Sequence, residues 1–88
     1  TMICHEGLLE LKKHDEENQT QYMETLRVYL EQHLSATQAA RELFIHRSTF
    51  LYRLDRIKEI LQSELDDPEE IFYLELSFRL LEQEQEKE

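Results

Sequence analysis

Residues 35–61, SATQAARELFIHRSTFLYRLDRIKEIL, decide the fold. Ser35 opens the stretch and Gln38 follows three residues later. This is the Ser-x-x-Gln form of a capping box, in which a hydroxyl accepts from an orphan N–H of the first helical turn. A short helix over Ala36–Leu43 follows, with Ala39, Ala40 and Leu43 on its inner face. Two adjacent small residues let a second helix cross at short range, because interaxial distance is set by the side chains at the contact. Phe44, Ile45 and His46 interrupt the helix. Ile45 is placed to pin the turn into a core, and His46 stands where an N-cap belongs. A longer helix over residues 47–62 carries Phe50, Leu54, Ile57 and Leu61 at i, i+4, i+7 and i+11, which is one buried stripe. Residues 35–62 therefore form a helical hairpin.

Helices are also expected on both sides of it. Residues 5–13 (HEGLLELKK) read as a short helix with Leu8, Leu9 and Leu11 as its apolar face, and residues 14–19 (HDEENQ) as a polar connection. Residues 20–33 (TQYMETLRVYLEQH) place Tyr22, Leu26, Tyr29, Leu30 and His33 on one stripe, with Thr20 as N-cap. After a turn at residues 63–67, Asp67-Pro68-Glu69-Glu70 starts a helix: Asp as cap, Pro at the first helical position, acids in the first turn. In this last helix, residues 68–82, Ile71, Leu74, Phe78 and Leu81 make a stripe that Phe72, Leu76 and Leu80 widen. So broad an apolar surface predicts burial on two sides, and hence a partner chain. Residues 83–88 read as a fraying polar tail. The fold class is all-α, a five-helix compact domain.

The totals agree with this reading and exclude others. Eighty-eight residues allow one domain, with too small a core to enclose a deep active site. One Gly and one Pro leave little material for hairpins or phosphate-binding glycine loops. The chain has no nucleophile elbow, so no enzyme is expected. Cys4 cannot form an internal disulfide, and a cytoplasmic setting is the expectation. No apolar run approaches the roughly 20 residues that span a membrane. Cys4, His5, His14 and His33 lack metal-ligand spacing. No metal or cofactor is expected. Thr1 is not a natural start, which suggests the C-terminal end of a longer protein.

Net charge is −10, which by itself argues against a nucleic-acid partner. The distribution is uneven. Residues 47–58 hold Arg47, Arg53, Arg56 and Lys58 against Asp55, a sum of +3, so the rest of the chain carries −13. A basic helix on an acidic body docks in one orientation. The hairpin geometry projects the opening turn of its second helix outward, where it fits a major groove. Arg47 is placed for bidentate bonds to a guanine edge. Ser48 and Thr49 suit base edges or phosphates, and Leu51 the methyl of thymine. Tyr52, Arg53 and Arg56 lie further along for the phosphate backbone. His46 is foremost a cap beside these groups. For Arg53 a structural ion pair is an equal alternative, and for Tyr52 packing at the rim. The competing view of the whole chain is a dimerisation or protein-interaction bundle that never touches DNA, motivated by the net charge and the over-apolar last helix.

LFIHRSTFLYRLDRI, residues 43–57, resembles the signature of the C-terminal helix-turn-helix domain of PucR-type regulators, which include sugar-diacid and purine-catabolism regulators. ETLRVYLEQHLSATQAAREL (24–43), ELDDPEEIFYLELSFRLLE (64–82) and LLELKKHDEEN (8–18) are similar to neighbouring segments of that family. The hairpin is also similar to that of Fis-type DNA-binding domains. The resemblance implies a transcription regulator that binds double-stranded DNA as a homodimer. It also implies that a small-molecule effector is sensed by an N-terminal part missing from this chain. Two positions depart from the pattern. Phe44 stands where helix-turn-helix turns often have Gly, which predicts a turn of different shape because only Gly takes positive φ without cost. Ser48 replaces a frequent Asn and is a shorter reader.

Overall fold

The structure is a computed structural model that describes residues 4–86. Five helices follow one another: α1 Glu6–Asn18, α2 Tyr22–Glu31, α3 Ala36–Leu43, α4 Arg47–Leu61 and α5 Pro68–Glu86. Helix α4 is the central element and packs on α1, α2 and α3, while α5 lies against α2. The expected stripe of α4 is the heart of the core, with Phe50 and Ile57 fully buried and Leu54 and Leu61 nearly so. Leu8 and Leu11 of α1, Leu26 of α2 and Leu74 of α5 close around it. Each such side chain contributes about 1.5–3 kcal/mol through removal of apolar surface from water. Tyr29 lies on Phe50 with ring centroids 5.6 Å apart, and burial pushes its phenol pKa up. No helix among the described residues is long and apolar enough to cross a membrane.

Several boundaries differ from the sequence expectation, and at the C-terminal end α5 runs on to Glu86, through residues expected to fray. The segment expected as a polar connection is the last turn of α1. Asp15 holds it in place: its carboxylate accepts from the backbone N–H of Tyr22 at 2.9 Å and of Met23 at 2.8 Å. Those are orphan donors at the start of α2. Thr20, expected as the N-cap, instead donates its hydroxyl to Asp15, and Gln21 at the cap position makes no side-chain bond. His14 stacks on Tyr22 with centroids 5.0 Å apart. At its far end α2 stops at Glu31, and His33 and Leu34 turn the chain in left-handed backbone so that Ser35 can adopt its extended cap conformation. His33 is therefore exposed and leaves the predicted stripe. Leu9 also faces out, at 43% exposure. Helix α4 ends at Leu61, with Gln62 as its left-handed C-cap.

Two contacts tie the start of α1 to the rest. The Ser77 hydroxyl, fully buried on α5, accepts from the His5 N–H at 3.0 Å. A Cβ on Gly7 would stand 2.9 Å from the His5 ring and 3.1 Å from Leu61, so the missing side chain is what lets α1 lie on the end of α4.

The turn between α3 and α4 is not reshaped to suit Phe44. Phe44 adopts the left-handed conformation that Gly would take, φ 57° and ψ 41°, with its ring 95% exposed. Phe44→Gly therefore removes backbone strain and sacrifices almost no packing. It should raise stability by about 0.5–1 kcal/mol, visible as a higher urea midpoint. A lower midpoint would mean that the ring contributes contacts.

Candidate nucleic-acid interface

The site is built on the crossing of α3 and α4. Ala39 is fully buried and Ala40 is 4% exposed on α3, which packs on both α2 and α4, so two small side chains let α3 sit close to its neighbours where larger residues would hold it off. The helix closes with the Ile45 N–H donating to the Ala40 carbonyl at 3.1 Å, and Ile45 packs half-buried against the core. Ser35 caps α3 by accepting from the Gln38 N–H at 3.2 Å. His46 caps α4: its Nδ1 accepts from the Ser48 N–H at 3.1 Å and lies 2.8 Å from the Ser48 hydroxyl. A ring nitrogen that accepts carries no proton, so this imidazole holds its hydrogen on Nε2. The Ser48 hydroxyl is then the donor of its own contact, and its lone pairs stay available as acceptors.

His46, Arg47, Ser48 and Thr49 all lie exposed at the start of α4, and Tyr52 on the next turn is 63% exposed. Arg47 makes no ion pair among the described residues. Arg53 is half-buried and donates from Nη1 to the Thr25 hydroxyl at 3.2 Å; Thr25, fully buried, in turn donates to the Gln21 carbonyl at 2.7 Å. The ion pair that was the alternative to a phosphate contact for Arg53 does not form among the described residues, where its bond is to a neutral hydroxyl. Thr49, Tyr52 and Arg53 border an open groove whose other wall is Gln19–Tyr22 at the start of α2. Among the described residues no three His, Cys, Asp or Glu side chains converge as a metal site would require.

Two of the expected residues sit differently. Leu51 is not an exposed apolar reader; it is half-buried and packs on the core. Arg56 is engaged with Glu59 at 2.9 Å. Beyond Tyr52 the outer row of α4 continues into exposed Asp55 and Glu59. The +3 sum over residues 47–58 therefore overstates the basic surface, because the outer row is free of acids only over the first two turns. Thr25 was not foreseen as the residue that orients Arg53. Its position three residues after Tyr22, a polar group on an apolar row, was the available signal.

Because the His46 cap holds the first turn of α4, His46→Ala should cost about 1 kcal/mol in urea denaturation, and His46→Asn should restore most of it. Equal stability of all three proteins would show that the imidazole contributes no cap energy.

Comparison with known proteins agrees with this geometry. Residues 22–80 match the PucR C-terminal helix-turn-helix domain. The purine catabolism regulatory protein of Bacillus subtilis (strain 168) is 38% identical over 73 residues, covering 83% of this chain and 14% of that protein. The proline-responsive transcriptional activator PutR of the same organism is 40% identical over 57 residues, 65% of this chain and 14% of its own length. The DNA-binding transcriptional activator AdeR, also from Bacillus subtilis, is 32% identical over 74 residues, 84% of this chain and 18% of its own. This chain thus spans less than a fifth of the length of each of these regulators. No solved structure matches it. A capped hairpin crossing on paired alanines, with the match extending from α2 into α5, places the chain in the family of PucR C-terminal helix-turn-helix domains.

Proposed function

We propose that this chain is the DNA-binding output domain of a transcription regulator and that the first two turns of α4 enter the major groove. The observation that carries the reading is the unpaired, exposed Arg47 on a helix start held by the His46 cap and the α3 crossing. Arg47 suits bidentate donation to guanine O6 and N7. Ser48, whose proton is directed at His46, offers an acceptor and suits the amino group of adenine or cytosine. Thr49, Tyr52 and Arg53 face the phosphate backbone beside the start of α2, and the free His46 Nε2–H is a further phosphate donor. Arg56 adds charge at the edge of the groove on release from Glu59. Leu51 has only the edge of its side chain left for a thymine methyl.

The acidic remainder of the domain repels DNA from every other face, so it sharpens orientation at some cost in affinity. The longest extent of the domain is 38 Å, about one turn of B-DNA, so one copy covers one half-site and a homodimer covers a two-fold operator. The rest of a longer cytoplasmic regulator would sense the small-molecule effector. No catalytic role is assigned to this domain. A helical interaction module that leaves DNA alone is the competing reading, motivated by the net charge of −10 and by the broad apolar surface of α5, where Phe72 is exposed.

Fluorescence anisotropy on duplexes from the gene's own upstream region tests the proposal. Affinity should fall steeply with salt as condensed counterions are released, with a log–log slope of about −0.9 per phosphate contacted. Arg47→Ala should cost about 1–3 kcal/mol on the best duplex and narrow its advantage over scrambled DNA. An unchanged affinity would remove Arg47 from the interface, and silence on every duplex would favour the interaction module.

A further inference from the structure

Helix α5 has two apolar rows. Leu74, Ser77, Phe78 and Leu81 face the domain and are buried. Phe72, Leu76 and Leu80 follow each other four residues apart, so they line a second side of the helix. Phe72 is 63% exposed. Leu76 and Leu80 are half-buried yet stand outside the core cluster, which takes in Ile71 from the same helix. Beside this row lie Glu75 and Arg79, both exposed, and neither forms an ion pair or hydrogen bond among the described residues.

We propose that this row is the seam of a symmetric dimer, in which α5 of a second copy of this chain packs antiparallel on it. An isologous two-fold contact near Leu76 sets Phe72 of one copy against Leu80 of the other and Leu76 against its own equivalent. The same operation brings Arg79 within two residues, about 3 Å along the axis, of Glu75 in the second copy, and the reverse pair forms by symmetry. Two unpaired charges of opposite sign thereby gain partners. A parallel two-fold pairing would instead put Glu75 and Arg79 on the opposite flank of the seam from their equivalents, so that neither meets its opposite charge. The other exposed acids of α5 (Glu69, Glu82 and Glu84) argue against nucleic acid as the occupant of this face.

A seam of three apolar residues per copy buries less than the roughly 1,200 Å² at the low end of stable interfaces. The dimer is therefore weak in isolation and becomes populated when adjacent operator half-sites, or the rest of a longer chain, raise the effective concentration. The seam specifies the homodimer invoked in the functional reading, but its test needs no DNA. Failure of one therefore leaves the other standing.

The test is disulfide trapping in a Cys4→Ser background, without DNA, with circular dichroism to verify the fold. Leu76→Cys should cross-link to itself on the order of tenfold faster than Glu17→Cys on exposed α1, because proximity replaces random encounter. Phe72→Cys mixed with Leu80→Cys should cross-link to each other faster than either does to itself. Should Leu76→Cys destabilise the chain, sedimentation equilibrium at high protein concentration decides instead. The parent should self-associate there, and Phe72→Glu, a change at an exposed position, should not. Trapping of position 72 to itself would overturn the antiparallel arrangement. A parent that stays monomeric, with Leu76→Cys no faster than the control, would overturn the dimer seam and assign this face to another segment or partner.

Discussion

The close crossing of α3 under α4, on the methyl groups of Ala39 and Ala40, is the constraint on which the rest of the structure depends. It brings Phe50 into the core against Tyr29 and allows Ile45 to seal the turn. Because α4 is held along its whole apolar stripe, the opposite side of its first turn has no freedom to retreat. Arg47, Ser48 and Thr49 are presented on a rigid edge instead of on a loop, which lowers the entropy lost when they engage a partner. A larger side chain at either alanine would force the helices apart, at the 1–3 kcal/mol typical of overpacked cores.

Helix ends do the remaining positioning, with side chains and strained backbone in place of glycine. Gln19, Phe44 and Gln62 each close a helix in left-handed backbone, a conformation that is unfavourable for residues bearing a Cβ. The chain accepts this at three helix ends because each reversal is short and is locked by backbone bonds to the preceding turn. His46 and Asp15 show two ways of capping a start: the first from its own position, the second from the preceding helix. Both place a polar side chain near α4 or the groove beside it, so elements that stabilise the fold also shape the proposed interface.

The parts legible in the sequence were those with local chemistry. The limits of α3 followed from Ser35 and the switch to Phe44-Ile45-His46, and the stripe of α4 from spacing alone. Residues 43–57 also revealed the family by resemblance. What escaped was decided by contacts distant in sequence. The acids after Lys13 read as a linker because nothing local shows that Asp15 will cap another helix. Ser77 looks like a polar interruption of α5 until the His5 N–H arrives to bond it. Local charge summed over residues 47–58 could not reveal that Asp55 and Glu59 share the outer row with Tyr52, because that depends on which way the stripe faces. Phe44 was misjudged for a different reason: a backbone penalty of this size is outweighed by the packing on either side of the turn.

Function, on this view, comes from a short basic edge on an otherwise repulsive body. The edge is restricted to the start of α4, and the neighbouring start of α2 completes it through Thr25 and Arg53. The most direct measurement is an amide NMR titration of this domain with a specific duplex. Shifts and line broadening should concentrate at residues 46–53 and at the start of α2, and leave the buried face of α5 unaltered. Changes centred on α5, with residues 46–49 unmoved at saturation, would contradict α4 as the helix that reads DNA.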